Sequence, residues 1–162
     1  MAAELELSDS LQQFIESMGV FFERYGISRI GGRMLGLLMV SERDLSLDDI
    51  AGTLGVSRAS VSTNARMLIL YGMAQLVTRP GDRRDYYRLP PDTWARATEA
   101  EMDAILTMRR IAESGLAAAR ASDRAATEHL EDMIAYSDLM LEDRRSVLEH
   151  WRERKSGKDR KT

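Results

Sequence analysis

Between residues 57 and 88 the chain carries six arginines and only two carboxylates, although its 162 residues have a formal net charge of −3. On either side the balance is acidic: residues 1–56 hold 4 basic and 9 acidic groups, and 89–151 hold 7 and 13. A basic island in acidic surroundings makes a local positive field that attracts polyanions even when the whole molecule repels them. Two stretches carry the arginines. In "VSRASVSTNAR", Arg58 and Arg66 are interleaved with Ser60, Ser62 and Thr63; in "TRPGDRRDYYRL", Arg83 and Arg84 stand side by side behind Pro80-Gly81. Guanidinium forks and hydroxyls are the groups that bond phosphate oxygens and base edges.

Other chemistry is poorly supplied. There is no cysteine, which removes disulfides, thiolate metal sites and cysteine nucleophiles and suits a cytoplasmic location. His129 and His150 lack metalloprotease spacing, and no nucleophile elbow is present. The remaining carboxylates are scattered as solvated helix faces would have them, so neither catalysis nor a cofactor is expected. His129, Asp132 and His150 are the one conceivable metal-sensing set, the first two being neighbours on a helix face; no metal site is assigned to them. The N-terminus lacks the positive region and apolar run of a secretion signal. The longest apolar stretch, Met34–Val40, is seven residues, against the roughly 20 of a membrane helix, so no membrane partner is expected.

What must position the arginines is a set of short helices and a hairpin. Ser8 can cap a helix with apolar residues Leu11, Phe14, Ile15, Met18, Phe21 and Phe22 at three- and four-residue spacing, stopped near Gly26. Arg29–Val40 reads as a second helix, its Gly31, Gly32 and Gly36 permitting close packing. Ser46 and Asp49 have the spacing of a capping box for a helix over Leu47–Leu54, and Gly55 supplies the positive φ that ends it. Ser57 then caps a helix running to about Tyr71. On it Val61, Ala65 and Leu68 face inward, while Ala59, Ser62, Thr63 and Arg66 face out, with Arg58 and Ser60 at the flanks. That outer face has no bulky apolar group to hold it away from a major groove. Asn64 stands where a base or a phosphate could be reached, although it is left out of the reading set. Ala74–Thr78 and Asp85–Leu89 read as strands about the Pro80-Gly81-Asp82 turn. Helix, turn, helix and hairpin make a winged helix, so the predicted fold class is mainly α with a small β-hairpin wing.

Four segments, "GISRIGGRMLGLLMV", "LSLDDIAGTLGVSRASVS", "GMAQLV" and "PGDRRDYYRL", resemble the MarR-like winged-helix transcription regulators, and more closely their GbsR-type branch. Together they cover roughly residues 26–89. The resemblance implies a double-stranded DNA-binding regulator in which Arg58, Ser60, Ser62, Thr63 and Arg66 enter the major groove. It gives Arg83 and Arg84 the wing role in the neighbouring minor groove or on the backbone. Asp82, two residues from Arg84, is placed to pin a guanidinium fork or bond turn amides rather than to touch DNA.

Beyond Pro90-Pro91, Asp92 or Thr93 can cap a long helix towards Ala121, and Ser122 or Asp123 a second one apolar at Leu130, Met133, Ile134, Met140, Leu141, Leu148 and Trp151. Two alanine-rich helices of this kind cannot enclose a core alone, so they are expected to pack on a second copy; the resemblance likewise implies a homodimer reading inverted-repeat DNA. The expected organisation is 1–25 as an N-terminal helix contributing to dimerisation, 26–91 as the DNA-binding domain, 92–155 as the dimerisation region and 156–162 as a basic disordered tail. A ligand-responsive repressor is the expected mode, with Phe21, Phe22, Tyr25, Tyr87 and Trp94 as the candidate lining of a small-molecule effector pocket. The rival reading is a winged-helix protein–protein interaction module without specific DNA binding.

Overall fold

The structure, a computed structural model, describes residues 7–122 and 127–159. It divides into two compact units, the first ending at Thr93 and the second beginning at Trp94.

In the first unit, α1 (Asp9–Glu23) and α2 (Arg29–Val40) pack closely against each other. Ser8 caps α1 by accepting from the Leu11 amide, and Ser28 caps α2 by accepting from Gly31. α2 is the central element: Met34, Leu35, Leu37 and Leu38 are almost wholly buried, and glycines at 31, 32 and 36 let neighbouring helices approach. Arg33 ties the unit together. Its Nε lies 2.6 Å from Glu16 Oε1, a close ion pair outside hydrogen-bond angles, while Nη2 donates to the Leu54 carbonyl at 3.0 Å.

α3 (Leu47–Leu54) starts at the expected capping box. Asp49 N–H donates to Ser46 Oγ at 3.2 Å, and Asp49 Oδ2 accepts from the Ser46 amide at 2.9 Å. Gly55 ends the helix at φ 63°, and Val56 packs against the core at the corner. Burial pushes the Asp49 carboxyl up, but the bonds from Ser46 N–H and Oγ, together with Arg43, outweigh it and hold the pKa below the usual carboxylate value. A lowered folded-state pKa gives stability that is present above the unfolded value and lost as pH falls through the folded one. Asp49→Asn should therefore cost about 1 kcal/mol at neutral pH, by the usual worth of a cap. Denaturant melts from pH 6 to 2 should show that gap closing below the carboxylate range; a constant gap would refute the assignment.

α4 (Arg58–Leu70) follows, capped by Ser57 Oγ, which accepts from the Ser60 amide at 3.1 Å. Val61, Ala65 and Leu68 all have 0% exposure, so the inward stripe of the helix falls at the expected positions. β2 (Gln75–Val77) and β3 (Tyr86–Arg88) form the hairpin, each strand one residue shorter than expected at each end. A third strand, β1 (Leu45–Ser46), adds to it in the order β1-β3-β2, all antiparallel. In register, Leu45, Tyr87 and Leu76 lie side by side, as do Ser46, Tyr86 and Val77.

The second unit holds α5 (Thr93–Ala121) and α6 (Glu128–Asp159), 29 and 32 residues long, or about 44 and 48 Å at 1.5 Å per residue. Ion pairs Arg120–Glu131, Arg109–Asp138, Arg144–Glu101 and Arg152–Glu99 step down one helix as they step up the other, so the two run antiparallel. Ile105, Ala112, Ser137, Leu141 and Leu148 are buried. Two boundaries differ from the sequence reading. α6 begins at Glu128, not after Ser122 or Asp123, because Ser122 Oγ turns back to the Ala118 carbonyl at 3.0 Å and closes α5; Asp123 lies outside the described residues. α6 also continues to Asp159, so residues 156–159, expected in a disordered tail, are helical. Basic residues near a helix C-terminus complement its dipole and favour that continuation; residues 160–162 lie outside the described part.

Candidate nucleic-acid interface

The buried stripe of α4 fixes what its other side presents. Arg58, Thr63 and Arg66 are exposed and Ser60 and Ser62 half-buried, with no large apolar side chain among them. Arg66 lies along the row, its Nη1 3.5 Å from Ser62 Oγ and its Nη2 3.5 Å from Thr63 Oγ1, contacts at the long limit of hydrogen bonding. Ser60 belongs partly to the cap, its Oγ 2.9 Å from Ser57 Oγ. Arg58, at the first position of the helix, donates from Nη1 to both carboxylate oxygens of Asp48, at 3.1 and 3.2 Å.

Asn64 corrects the sequence reading. It is buried, not outward: Nδ2 donates to the Ser60 carbonyl at 2.8 Å and Oδ1 accepts from Ser28 Oγ, which caps α2. Gly31 makes room for it, since a Cβ there would lie 2.9 Å from Asn64 Oδ1. Its amide is committed to joining the exposed-face helix to the start of α2, and is not available to a base or a phosphate.

The hairpin loop is built around Asp82. One oxygen accepts from the Arg84 amide and Nε, each at 3.0 Å; the other accepts from Arg84 Nη2 at 2.6 Å and from the Tyr86 phenol at 2.7 Å. The Arg84 guanidinium, then the Tyr86 phenol, hold the Asp82 carboxyl well below the usual carboxylate range; the same carboxylate pushes the Tyr86 phenol up. Arg79 closes the base of the loop, with its guanidinium carbon 4.0 Å from the Tyr86 ring centroid and Nη2 donating to Asp44 at 3.2 Å. Cation–π contact at that distance is favourable. Arg79, Tyr86, Asp44 and Asp48 were not singled out from the sequence. Asp82 and Arg84 lie in the loop before β3 and only Tyr86 in the strand, so their meeting is set by the loop. Arg79–Asp44 spans 35 residues and Arg58–Asp48 crosses a turn, and neither leaves a local trace.

The six arginines of the basic island thus fall into two groups. Arg58, Arg79 and Arg84 each face a carboxylate, whereas among the described residues Arg66, Arg83 and Arg88 make no ion pair. All three of the latter are exposed.

The aromatic residues considered for an effector pocket do not form one set. Tyr87 is a member of the hydrophobic core, 6% exposed, because its position between Leu45 and Leu76 in the sheet turns it inward, and burial raises its pKa. Phe22 packs partly buried against that core. Phe21 and Tyr25 lie outside it, mostly exposed, with ring centroids 4.9 Å apart. Trp94, half exposed, starts the second unit. Two cavities of the first unit, of about 200 and 270 Å³, are lined by other residues: Ile15, Glu16, Arg33 and Thr53 in one, Arg43, Asp44 and Arg88 in the other. Among the described residues no cluster of His, Cys, Asp or Glu could hold a metal ion, and no helix is long and apolar enough to cross a membrane.

Comparison with known proteins bears on both units. A family model described as MmpR5-like MarR family transcriptional regulator matches residues 92–154, the part of the chain that the motif resemblance over 26–89 does not reach. The HTH-type transcriptional regulator MmpR5 of Mycobacterium tuberculosis is 33% identical over 137 residues, covering 82% of this chain and 83% of that protein. A crystal structure of a transcriptional regulator matches with a TM-score of 0.82 at 30% identity, covering 89% of this chain and 99% of that one. With the helix-turn-helix, the three-stranded wing sheet and the long terminal helices in place, the chain belongs to the MarR family of winged-helix transcriptional regulators.

Proposed function

We propose that the chain is a homodimeric regulator that reads double-stranded DNA, with α4 in the major groove and the hairpin as a wing in the adjacent minor groove. The observation that carries the reading is the exposed polar row of α4, Arg58 to Arg66, held outward by a fully buried Val61–Ala65–Leu68 stripe. Arg58, Ser60, Ser62, Thr63 and Arg66 contact base edges and phosphates. Arg83, exposed on the hairpin loop, enters the minor groove, where readout is largely of width and potential. Arg84, braced by Asp82, shapes the wing and offers its outer edge to the backbone. Dimerisation is supported by apolar side chains left exposed on the long helices, among them Ile111, Tyr136 and Leu139, each at least 60% exposed. A twofold axis would make the operator an inverted repeat with half-sites about one DNA turn, roughly 34 Å, apart.

Repression relieved by a small molecule is part of the same reading. An effector switches such a dimer only by binding one reader spacing better than another, and the exposed Phe21–Tyr25 pair is the candidate contact that survives from the aromatic set. Placement in the GbsR-type branch rests on the four sequence segments within residues 26–89 alone.

The test is selection of genomic fragments by the purified protein, followed by titration of a selected duplex at several salt concentrations. If Arg66, Arg83 and Arg88 of both protomers meet phosphates, log affinity should fall against log salt with a slope of about −5. A flat salt response, or equal affinity for selected and random duplexes, would favour the protein-interaction module instead. Light scattering during size exclusion checks the dimer.

A further inference from the structure

We propose that Asp48 is a specificity-determining positioning residue, which holds Arg58 so that one edge of its guanidinium is aimed at a guanine; this rests on the DNA-reading function proposed above. Asp48 is the second residue of α3 and Arg58 the first of α4, so the pair bridges the turn between the two helices. Side-chain exposures of 48% and 62% put the pair in solvent, where an ion pair adds little to stability. Its consequence must be sought at the surface it faces.

The geometry supplies one. Both Asp48 oxygens accept from the same nitrogen, Arg58 Nη1. Nη2 and Nε therefore keep their donors, and two adjacent guanidinium donors are what a bidentate contact with guanine O6 and N7 requires. Fixing the fork in advance reduces the rotamer freedom lost on binding.

Charge works in the same direction. A carboxylate at the head of the reading helix opposes phosphates whatever the sequence, and it cancels the contribution of Arg58 to nonspecific attraction. Nonspecific binding is nearly all electrostatic, so Asp48 weakens it while sharpening one base contact. The grouping of the island arginines agrees: Arg66, Arg83 and Arg88 are left without a carboxylate to supply attraction, and Arg58 is restrained to read.

Asp48→Asn tests this in the full-length protein, using the selected operator duplex, a random duplex, and operator variants with each guanine changed to adenine. Asparagine retains an acceptor and removes the charge. Random-duplex affinity should rise, with a salt slope steeper by about 0.9 per bound protomer. The operator-to-random ratio should fall about fivefold or more, with the loss concentrated at one guanine per half-site. An unchanged melting temperature shows that the variant folds. In an Arg58→Ala background Asp48→Asn should still raise random-duplex affinity, because the carboxylate repels phosphates with or without its partner, but it should leave the operator-to-random ratio unchanged. A wild-type operator-to-random ratio in Asp48→Asn, or a fall of equal size in that ratio without Arg58, overturns the proposal. If Arg58→Ala weakens operator binding while Asp48→Asn does nothing, only this inference falls; if reversing the arginines leaves duplex binding intact, the DNA-reading function falls with it.

Discussion

Gly32→Ala should destabilise the first unit by about 2 kcal/mol, within the usual cost of overpacking, while Gly52→Ala should stabilise it by up to about 1 kcal/mol. Both glycines sit inside helices, α2 and α3, and intrinsic propensity favours alanine equally at each. The surroundings decide the sign. A Cβ at Gly32 would stand 2.6 Å from the Met18 carbonyl oxygen and 2.9 Å from the Gly19 Cα, both main-chain atoms of α1. No rotamer change relieves such a clash, so α1 must move away from the helix it packs against most extensively. At Gly52 nothing lies within 4 Å, and only the propensity gain remains. Gly19 is an intermediate case, because the atom nearest its added Cβ is the flexible Arg33 Cγ, also at 2.6 Å, but a backbone oxygen of Arg29 stands at 3.0 Å behind it. Urea midpoints for the two alanine variants give the comparison directly. A Gly32→Ala protein as stable as wild type would mean that α1 and α2 are not held at this distance.

These glycines also mark what could be read from the chain without coordinates. Small residues in α2 announced close packing, but not which of them touches backbone. Period and caps were legible wherever the cause is local. Val61, Ala65 and Leu68 recur at helical spacing, Ser46 and Asp49 are three apart, and Gly55 takes the positive φ that its position demands. Asn64 was not legible, since a polar residue beside an exposed face reads as exposed. Its burial depends on Ser28, 36 positions earlier, and on the missing side chain of Gly31. β1 escaped because two residues carry no alternation, and they directly precede a strong helix start. Tyr87 and Tyr86 look alike in sequence, yet the sheet sends one into the core and sets the other against Asp82 and Arg79. Within the site the arginines themselves were legible from charge and spacing. Their carboxylate partners were not, because Asp44 and Asp48 reach them only through the fold.

Reversing Arg58, Arg66 and Arg83 together to glutamate should abolish duplex binding while leaving the fold and the oligomeric state unchanged. The first half follows from counting contacts. The two Arg58 side chains of a dimer, on base edges, are worth about 1–3 kcal/mol each, so their loss alone is about 2–6 kcal/mol, roughly thirty-fold to ten-thousand-fold, before the contacts of Arg66 and Arg83 are counted. Reversal adds repulsion from phosphates to the lost attraction, which makes this a lower bound. The second half follows from exposure. All three side chains are solvent-facing, Arg83 has no partner among the described residues, and Arg66 makes only 3.5 Å contacts with Ser62 and Thr63. Arg58→Glu does set two carboxylates against each other at Asp48, but an exposed like-charge contact costs a few tenths of a kcal/mol, too little to unfold a domain whose buried stripe is untouched. Single variants should then separate the roles. Arg58→Ala should relax discrimination at one base, whereas Arg83→Ala should weaken many duplexes alike and reduce the salt slope by about 1 per protomer. Gel shifts at fixed salt, paired with melting curves and light scattering on the same samples, read all of these. Duplex affinity retained by the triple variant would exclude α4 and the wing as the DNA-reading surface, because no redistribution of the remaining charges could offset so large a change at the proposed contact.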